Sequence, residues 1–212
     1  MPRSGQCLVS TARAGDKQTS VTPSPQQLLR RFHRGDPQAA EALWSLLAPR
    51  MLGVASRIVD REAEDLVQQA FLKALQTPRR EIRKVRDAEA WLFVILRNSC
   101  LSIVRERRRE ALRRARVANG SPVSHPTSAP QPRLNEPPIA RLLEHLSDDL
   151  REPVLLRHAG GLTFSQIALV LELPRSTVAD RYTRALDAMR KLSADQRSAH
   201  PDRPASLVEA RR

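Results

Sequence analysis

An all-helical protein made of two small helical domains joined by a flexible proline-rich linker, the second a helix-turn-helix domain, is the fold class this sequence predicts. Glycine occurs only 7 times in 212 residues while Leu, Ala, Arg, Glu and Gln dominate, a composition of helix formers. Apolar residues recur at helical spacing, and the apolar/polar alternation of strands is missing. Prolines cluster at 22–25 (TPSP) and across 122–138 (PVSHPTSAPQPRLNEPP), where Ser also gathers, and a segment of that kind cannot build a packed core. These breaks divide the chain into a disordered N-terminal tail (1–24), a first helical domain (25–116), a linker (117–137), a second domain (138–194) and a basic C-terminal tail (195–212).

The first domain opens with QQLLRRFHRGDPQAAEALWSLLAPRMLGVASRIV, where GDP interrupts the apolar pattern and separates two or more helices. Asp36 is placed to cap the helix that Pro37 opens: its carboxylate can accept from the free N–H groups of the first turn, and proline brings no N–H that would go unbonded. In REAEDLVQQAFLKALQ, Ala63, Leu66, Val67, Ala70, Phe71 and Ala74 recur at i, i+3, i+4, i+7, i+8 and i+11, a complete buried stripe. Asp65, Gln68, Gln69 and Leu72 are left on the outward face, which is not basic and sets a leucine beside two amides. On the helix alone, ordinary solvent contact is the favoured reading of that face.

AWLFVILRNSCLSIVRERRRE is apolar nearly all round from Trp91 to Leu96 and belongs at the centre of the first domain. From Arg97 the pattern changes. Asn98, Ser102, Arg105 and Arg109 fall at i, i+4, i+7 and i+11, a polar stripe long enough to follow a nucleic-acid strand, with Arg107 and Arg108 flanking it. Asparagine is a poor residue for mid-helix, so its presence points to a use. A solvated basic helix end, favourable to the helix dipole, is the alternative. Seven arginines between 105 and 116 exceed what such an end needs.

In the second domain Thr163-Phe-Ser-Gln166 has the form of a capping box, so a helix starts there with Ile167, Ala168 and Leu171 inward. Leu173-Pro174 interrupts it. RSTVADRYTRALDAMRKL then forms a longer helix with Val178, Tyr182, Ala185, Met189 and Leu192 inward and Arg175, Ser176, Thr183 and Arg184 outward. A short helix, a tight turn and a longer helix describe a helix-turn-helix. A plain helical hairpin fits the spacing equally well, and the charge of the chain tips the choice toward DNA.

That charge is +13, from 36 Lys+Arg against 23 Asp+Glu, and it makes a polyanion the natural partner. No run of 18 apolar residues exists, which argues against membrane insertion, and the first residues, MPRSGQCLVSTARAGDK, lack the apolar core of a signal peptide, so the chain is expected in the cytoplasm. Cys7 and Cys100 are too few and too scattered for a disulfide framework or a zinc site, and the five histidines are dispersed. Asp60, Glu62, Glu64 and Asp65 make a poor nuclease metal cluster, because Glu64 and Asp65 point in different directions on the expected helix. No phosphate-cradling loop, dinucleotide turn or nucleophile elbow occurs, so no catalytic residue, metal or cofactor is expected.

EDLVQQAFLKAL, AWLFVILRNSCLSIVRERRR and LREPVLLRHAGGLTFSQIALVLELPRSTVADRYTRALDAMRKL, in that order and separated by the proline-rich linker, resemble bacterial RNA polymerase sigma factors of the extracytoplasmic-function (ECF) group of the sigma-70 family. The resemblance covers about residues 26–194. It implies a non-catalytic subunit whose first domain binds core RNA polymerase and the −10 promoter element and whose second binds the −35 element. Asp65, Gln68 and Gln69 align with polymerase-binding positions, with Leu72 beside them; relatives usually carry Glu at the third. The resemblance thereby reverses the solvent-contact reading of that face. Asn98 and the basic residues after it, with Ser102, Arg105, Arg107, Arg108 and Arg109 on the stripe, align with the segment that captures the unstacked −10 strand. Trp91 and Phe93 align with an aromatic pair of mostly structural role. Arg175, Ser176, Thr177, Ala179, Asp180, Thr183 and Arg184 align with the −35 recognition helix. Ala179 and Asp180 stand where many relatives have a cation followed by Ser, and Glu172 where they often have Gly. Core RNA polymerase and promoter DNA are the partners implied, and an anti-sigma factor is a further one left open. A polymerase-independent helix-turn-helix regulator is the alternative function; it predicts tight duplex binding by the chain alone.

Overall fold

The computed structural model describes residues 23–59, 61–117 and 138–199. The N-terminal tail to residue 22, the linker from 118 to 137 and the C-terminal tail from 200 lie outside the described residues. Among those described there are nine helices and no strand: α1 (Pro25–Phe32), α2 (Pro37–Ala55), α3 (Ala63–Gln76), α4 (Arg79–Ile82), α5 (Ala88–Val117), α6 (Pro138–Glu144), α7 (Asp148–His158), α8 (Phe164–Leu171) and α9 (Arg175–Ala199).

Local chemistry sets most of the boundaries. Ser24 and Gln27 form a capping box that starts α1. The Asp36 carboxylate accepts from the N–H groups of Gln38 and Ala39 at 3.0 and 3.2 Å and so starts α2 at Pro37. The Arg31 guanidinium beside it, then the N–H of Ala39, holds that carboxyl below its ordinary range. All six residues of the α3 stripe are buried, and they pack toward α2 and α5. α5 carries Leu92, Phe93, Leu96 and Cys100 at 0–1 % exposure. Burial pushes the Cys100 thiol up to about 11, which makes it an inert packing residue.

The two halves share one apolar cluster. Leu156, Leu162, Ile167, Val170, Leu171 and Val178 of the second half join the core built by α1–α5, while Leu143, Leu146, Val154, Leu155, Ala185 and Met189 form a smaller cluster of their own. α8 packs on α5, and the turn that precedes α8 also lies close to it: a Cβ on Gly160 would lie 3.2 Å from the Phe93 ring. Polar contacts rim this seam. Arg97 forks onto Glu152 at 2.9 and 3.2 Å, Arg50 pairs with Glu89 and its Nε donates to the Gly160 carbonyl at 2.8 Å, and Gln166 Nε2 donates to Glu89 at 3.0 Å. None of the described helices is long and apolar enough to cross a membrane.

Candidate polymerase and nucleic-acid interfaces

Asp65, Gln68, Gln69 and Leu72 are all exposed on α3, and Leu72 keeps 53 % of its surface in solvent. Leu75, one turn further and 48 % exposed, extends the same face. It went unread in the sequence although its i+3 spacing from Leu72 marks it. Two leucines held open to water beside two amides and a carboxylate form a small amphipathic patch, and the buried stripe on the opposite side of α3 keeps it rigid.

On α5 the side chains of Asn98, Ser102, Arg105, Arg107, Arg108 and Arg109 are exposed, but their surroundings differ. Arg107 pairs with Glu62, the residue preceding α3, and holds the Glu62 carboxyl below its ordinary range. Arg109 pairs with Glu106 at 2.8 Å, and Arg113 and Arg114 pair with Glu106 and Glu110. Among the described residues Asn98, Ser102, Arg105 and Arg108 have no side-chain partner. The unengaged part of the stripe therefore runs from the Asn98 amide through Ser102 to Arg105 and Arg108. Trp91 is half-buried and Phe93 is buried against Gly160.

The turn between α8 and α9 is three residues long, and Glu172 within it adopts a left-handed conformation, φ 55° and ψ 41°. Glycine adopts that conformation without strain, which is the physical reason the resemblance leads one to expect a glycine there. The Thr163–Gln166 capping box forms as its spacing predicts. Val178, Ala185 and Met189 are buried, with Tyr182 and Leu192 half-buried. Arg175, Ser176, Asp180, Thr183 and Arg184 are exposed, Thr177 and Ala179 half so. The Thr183 hydroxyl donates to the Ala179 carbonyl at 3.0 Å, which leaves it free only to accept from a ligand. Asp149, on α7, is held below its ordinary range by a hydrogen bond to the Ser147 side chain, with smaller help from Arg181 and Arg184.

Residues 43–110 match the family model Sigma-70 region 2, and residues 138–189 match Sigma-70, region 4. The RNA polymerase sigma-H factor of Pseudomonas aeruginosa is 30 % identical over 181 residues, which span 78 % of this chain and 92 % of the relative. The chain belongs to the sigma-70 family. Within it the chain is an ECF-type sigma factor: the ECF RNA polymerase sigma-E factor of Escherichia coli K12 is 28 % identical over 178 residues, 77 % of this chain and 91 % of that one. Among solved structures, the sigma factor RpoE of Bartonella quintana, in complex with the anti-sigma factor NepR, aligns with a TM-score of 0.55 and 28 % identity over 73 % of this chain and 96 % of its own. CnrH in complex with the cytosolic domain of CnrY shares the fold, with a TM-score of 0.58 and 22 % identity over 82 % of this chain and 99 % of its own.

The two matched regions divide this sigma factor's surfaces between them. The region 2 match contains the α3 face and the α5 stripe through Arg109, and the region 4 match contains every exposed residue of the α9 tip named above. Helix α1 lies outside both. Sigma factors confer promoter selection on RNA polymerase without catalysing a reaction, and among the described residues no group of His, Cys, Asp and Glu could hold a metal ion.

Proposed function

We propose that this sigma factor divides promoter selection among three exposed faces. Asp65, Gln68, Gln69 and Leu72 on α3 dock onto core RNA polymerase. Asn98 reads the edge of one base extruded from the −10 strand, while Ser102, Arg105 and Arg108 hold the backbone; Arg107 and Arg109 join them by exchanging their glutamate partners for phosphate. Arg175, Ser176, Thr177, Thr183 and Arg184 meet the −35 duplex through the major groove, with Ala179 packing beside them and Asp180 weakening the contact by facing phosphate. The chain itself catalyses nothing and works in the cytoplasm, where polymerase is. A protein inhibitor is a further partner on this reading, because the matched RpoE and CnrH structures are both complexes with a second protein.

The observation that carries the reading is the α3 face: two exposed leucines, two amides and a carboxylate on a helix anchored by six buried residues. Such a patch suits a protein partner better than DNA. Asp65→Lys combined with Gln68→Ala should cut retention of the full chain on immobilised core polymerase about tenfold or more, the size of losing one central polar contact and adding a repulsive charge. Retention equal to wild type would return the face to solvent.

A further inference from the structure

The polar contacts at the seam converge on the first helix of the helix-turn-helix. Gln166 belongs to the capping box that starts α8, where its Oε1 accepts from the Thr163 N–H at 2.9 Å and from the Thr163 hydroxyl at 3.0 Å. Its Nε2 turns the other way, toward the first half, and donates to Glu89 at 3.0 Å and to Asp87 at 3.4 Å. Both acids are held where they stand. Asp87 accepts from the Ala90 N–H at 2.8 Å and so caps the start of α5, and Glu89, whose side chain is only 15 % exposed, is paired with Arg50. Arg50 closes the ring, because its Nε also donates to the Gly160 carbonyl in the turn before α8. It lies so close over that turn that a Cβ on Gly161 would come within 2.9 Å of its Nη2.

The place of these acids matters for DNA. In a helix-turn-helix the second helix enters the major groove while the first crosses the sugar–phosphate backbone, and helix N-termini and polar side chains are the groups that meet phosphate there. At the start of α8 those groups are the Thr163 hydroxyl, the Gln166 amide and the exposed guanidinium of Arg157, which donates to the Leu162 carbonyl at 2.9 Å and lies 5.3 Å over the Phe164 ring. In the docked chain the Gln166 amide is already spent on two carboxylates. They take the hydrogen bonds it would offer a phosphate, and their charge repels one. The tip of α9 is left open but idle: Arg175, Ser176, Thr183 and Arg184 are exposed, yet they cannot enter a groove while acids stand where the adjoining strand must pass.

We propose that Asp87 and Glu89 stand in for DNA phosphate at the start of α8, so that the docked chain inhibits its own binding to the −35 duplex until Gln166 and the Gly160 turn are released. The proposal rests on the −35 reading above and adds to it a regulatory contact that this chain makes with itself. The test is fluorescence anisotropy of a labelled duplex of mixed sequence, titrated with the full chain. Asp87→Asn with Glu89→Gln keeps the shape of both side chains and a cap on α5 but removes both anions, and Arg184→Ala then reports whether α9 is seated on the duplex. Arg184→Ala should cost the wild type less than about twofold in affinity and the acid-free variant about tenfold, the size of one charge-assisted contact. An equal cost in both backgrounds overturns the self-inhibition and leaves the −35 reading standing, whereas no cost in either overturns the −35 reading and the proposal with it. Arg50→Gln supplies a second variant with an opposite sign to read. It removes a cation, which by charge alone lowers affinity for DNA, but it also frees the Gly160 turn, so affinity should rise about threefold; a fall overturns the proposal. Thermal unfolding checks that each variant is folded, and Arg50→Gln carries the test by itself if the paired substitution unfolds the chain.

Discussion

Asn98 sits at the point where α5 changes character, with Leu92, Phe93 and Leu96 buried one and two turns before it and exposed cations following. Its amide makes no hydrogen bond to any described residue, so within the protein it contributes only a poor helix propensity. Replacing it by alanine should therefore stabilise the fold by about 0.5 kcal/mol, the propensity difference at an exposed helical site. If the amide reads a base edge, the same substitution should cost about 1–3 kcal/mol of discrimination at one −10 position. The two effects have opposite signs, which separates a functional residue from a structural one. Transcription by holoenzyme from a library randomised across the −10 element checks the second; an unchanged preference at every position, with or without the gain in stability, would remove the base-reading role.

At the scale of the helix, what the sequence made legible was whatever depends on neighbours three or four residues away. The Ala63–Ala74 stripe, the Asp36–Pro37 start of α2 and the Thr163–Gln166 box all formed as their spacing predicts, because each is complete within one turn or one face. The pairings of Arg107 with Glu62, Arg97 with Glu152 and Arg50 with Gly160 were not legible, since they join residues 45, 55 and 110 apart. They also decide which of the described arginines keep no carboxylate partner. The α8–α9 turn lies between these cases: Glu172 stood out against the glycine of relatives, but only the backbone shows that the position is left-handed. A residue with a Cβ is strained there by about 1–2 kcal/mol, partly offset by the greater freedom glycine has in the unfolded chain. Glu172→Gly should thus stabilise the protein by about 0.5–1 kcal/mol and raise Tm by about 2–3 °C. A thermal scan showing no rise would mean that the Glu172 side chain compensates the strain by contacts in solution.

At the scale of the whole molecule, the docking of α7–α9 onto α2 and α5 sets a geometric problem. A compact body of this size has a radius of gyration of about 15 Å and so measures about 40 Å across. The −10 and −35 elements lie about 25 base pairs apart, which at 3.4 Å each is about 85 Å. If, as proposed, the first half reads the −10 element and the second the −35 element, the two halves must separate for both to be read at once, and the seam between them sets what separation costs. Arg97 and Glu152, with side chains only 25 % and 20 % exposed, line it together with Phe93, Leu96, Leu155 and Leu156. Glu152→Arg would turn the forked ion pair into two facing guanidiniums at a cost of about 2 kcal/mol, less than for a fully buried pair because a fifth to a quarter of each group stays wet. The cluster private to α6, α7 and α9 contains only six buried residues, too few to hold the second half at the stability of the first once the shared core opens. Calorimetry of the wild type should accordingly show one cooperative transition, and Glu152→Arg should split it in two, the lower belonging to the second half. A single transition at the wild-type temperature would mean that the apolar contact around Gly160 and Phe93 holds the halves together without the ion pair, and that opening must be driven by polymerase and DNA alone.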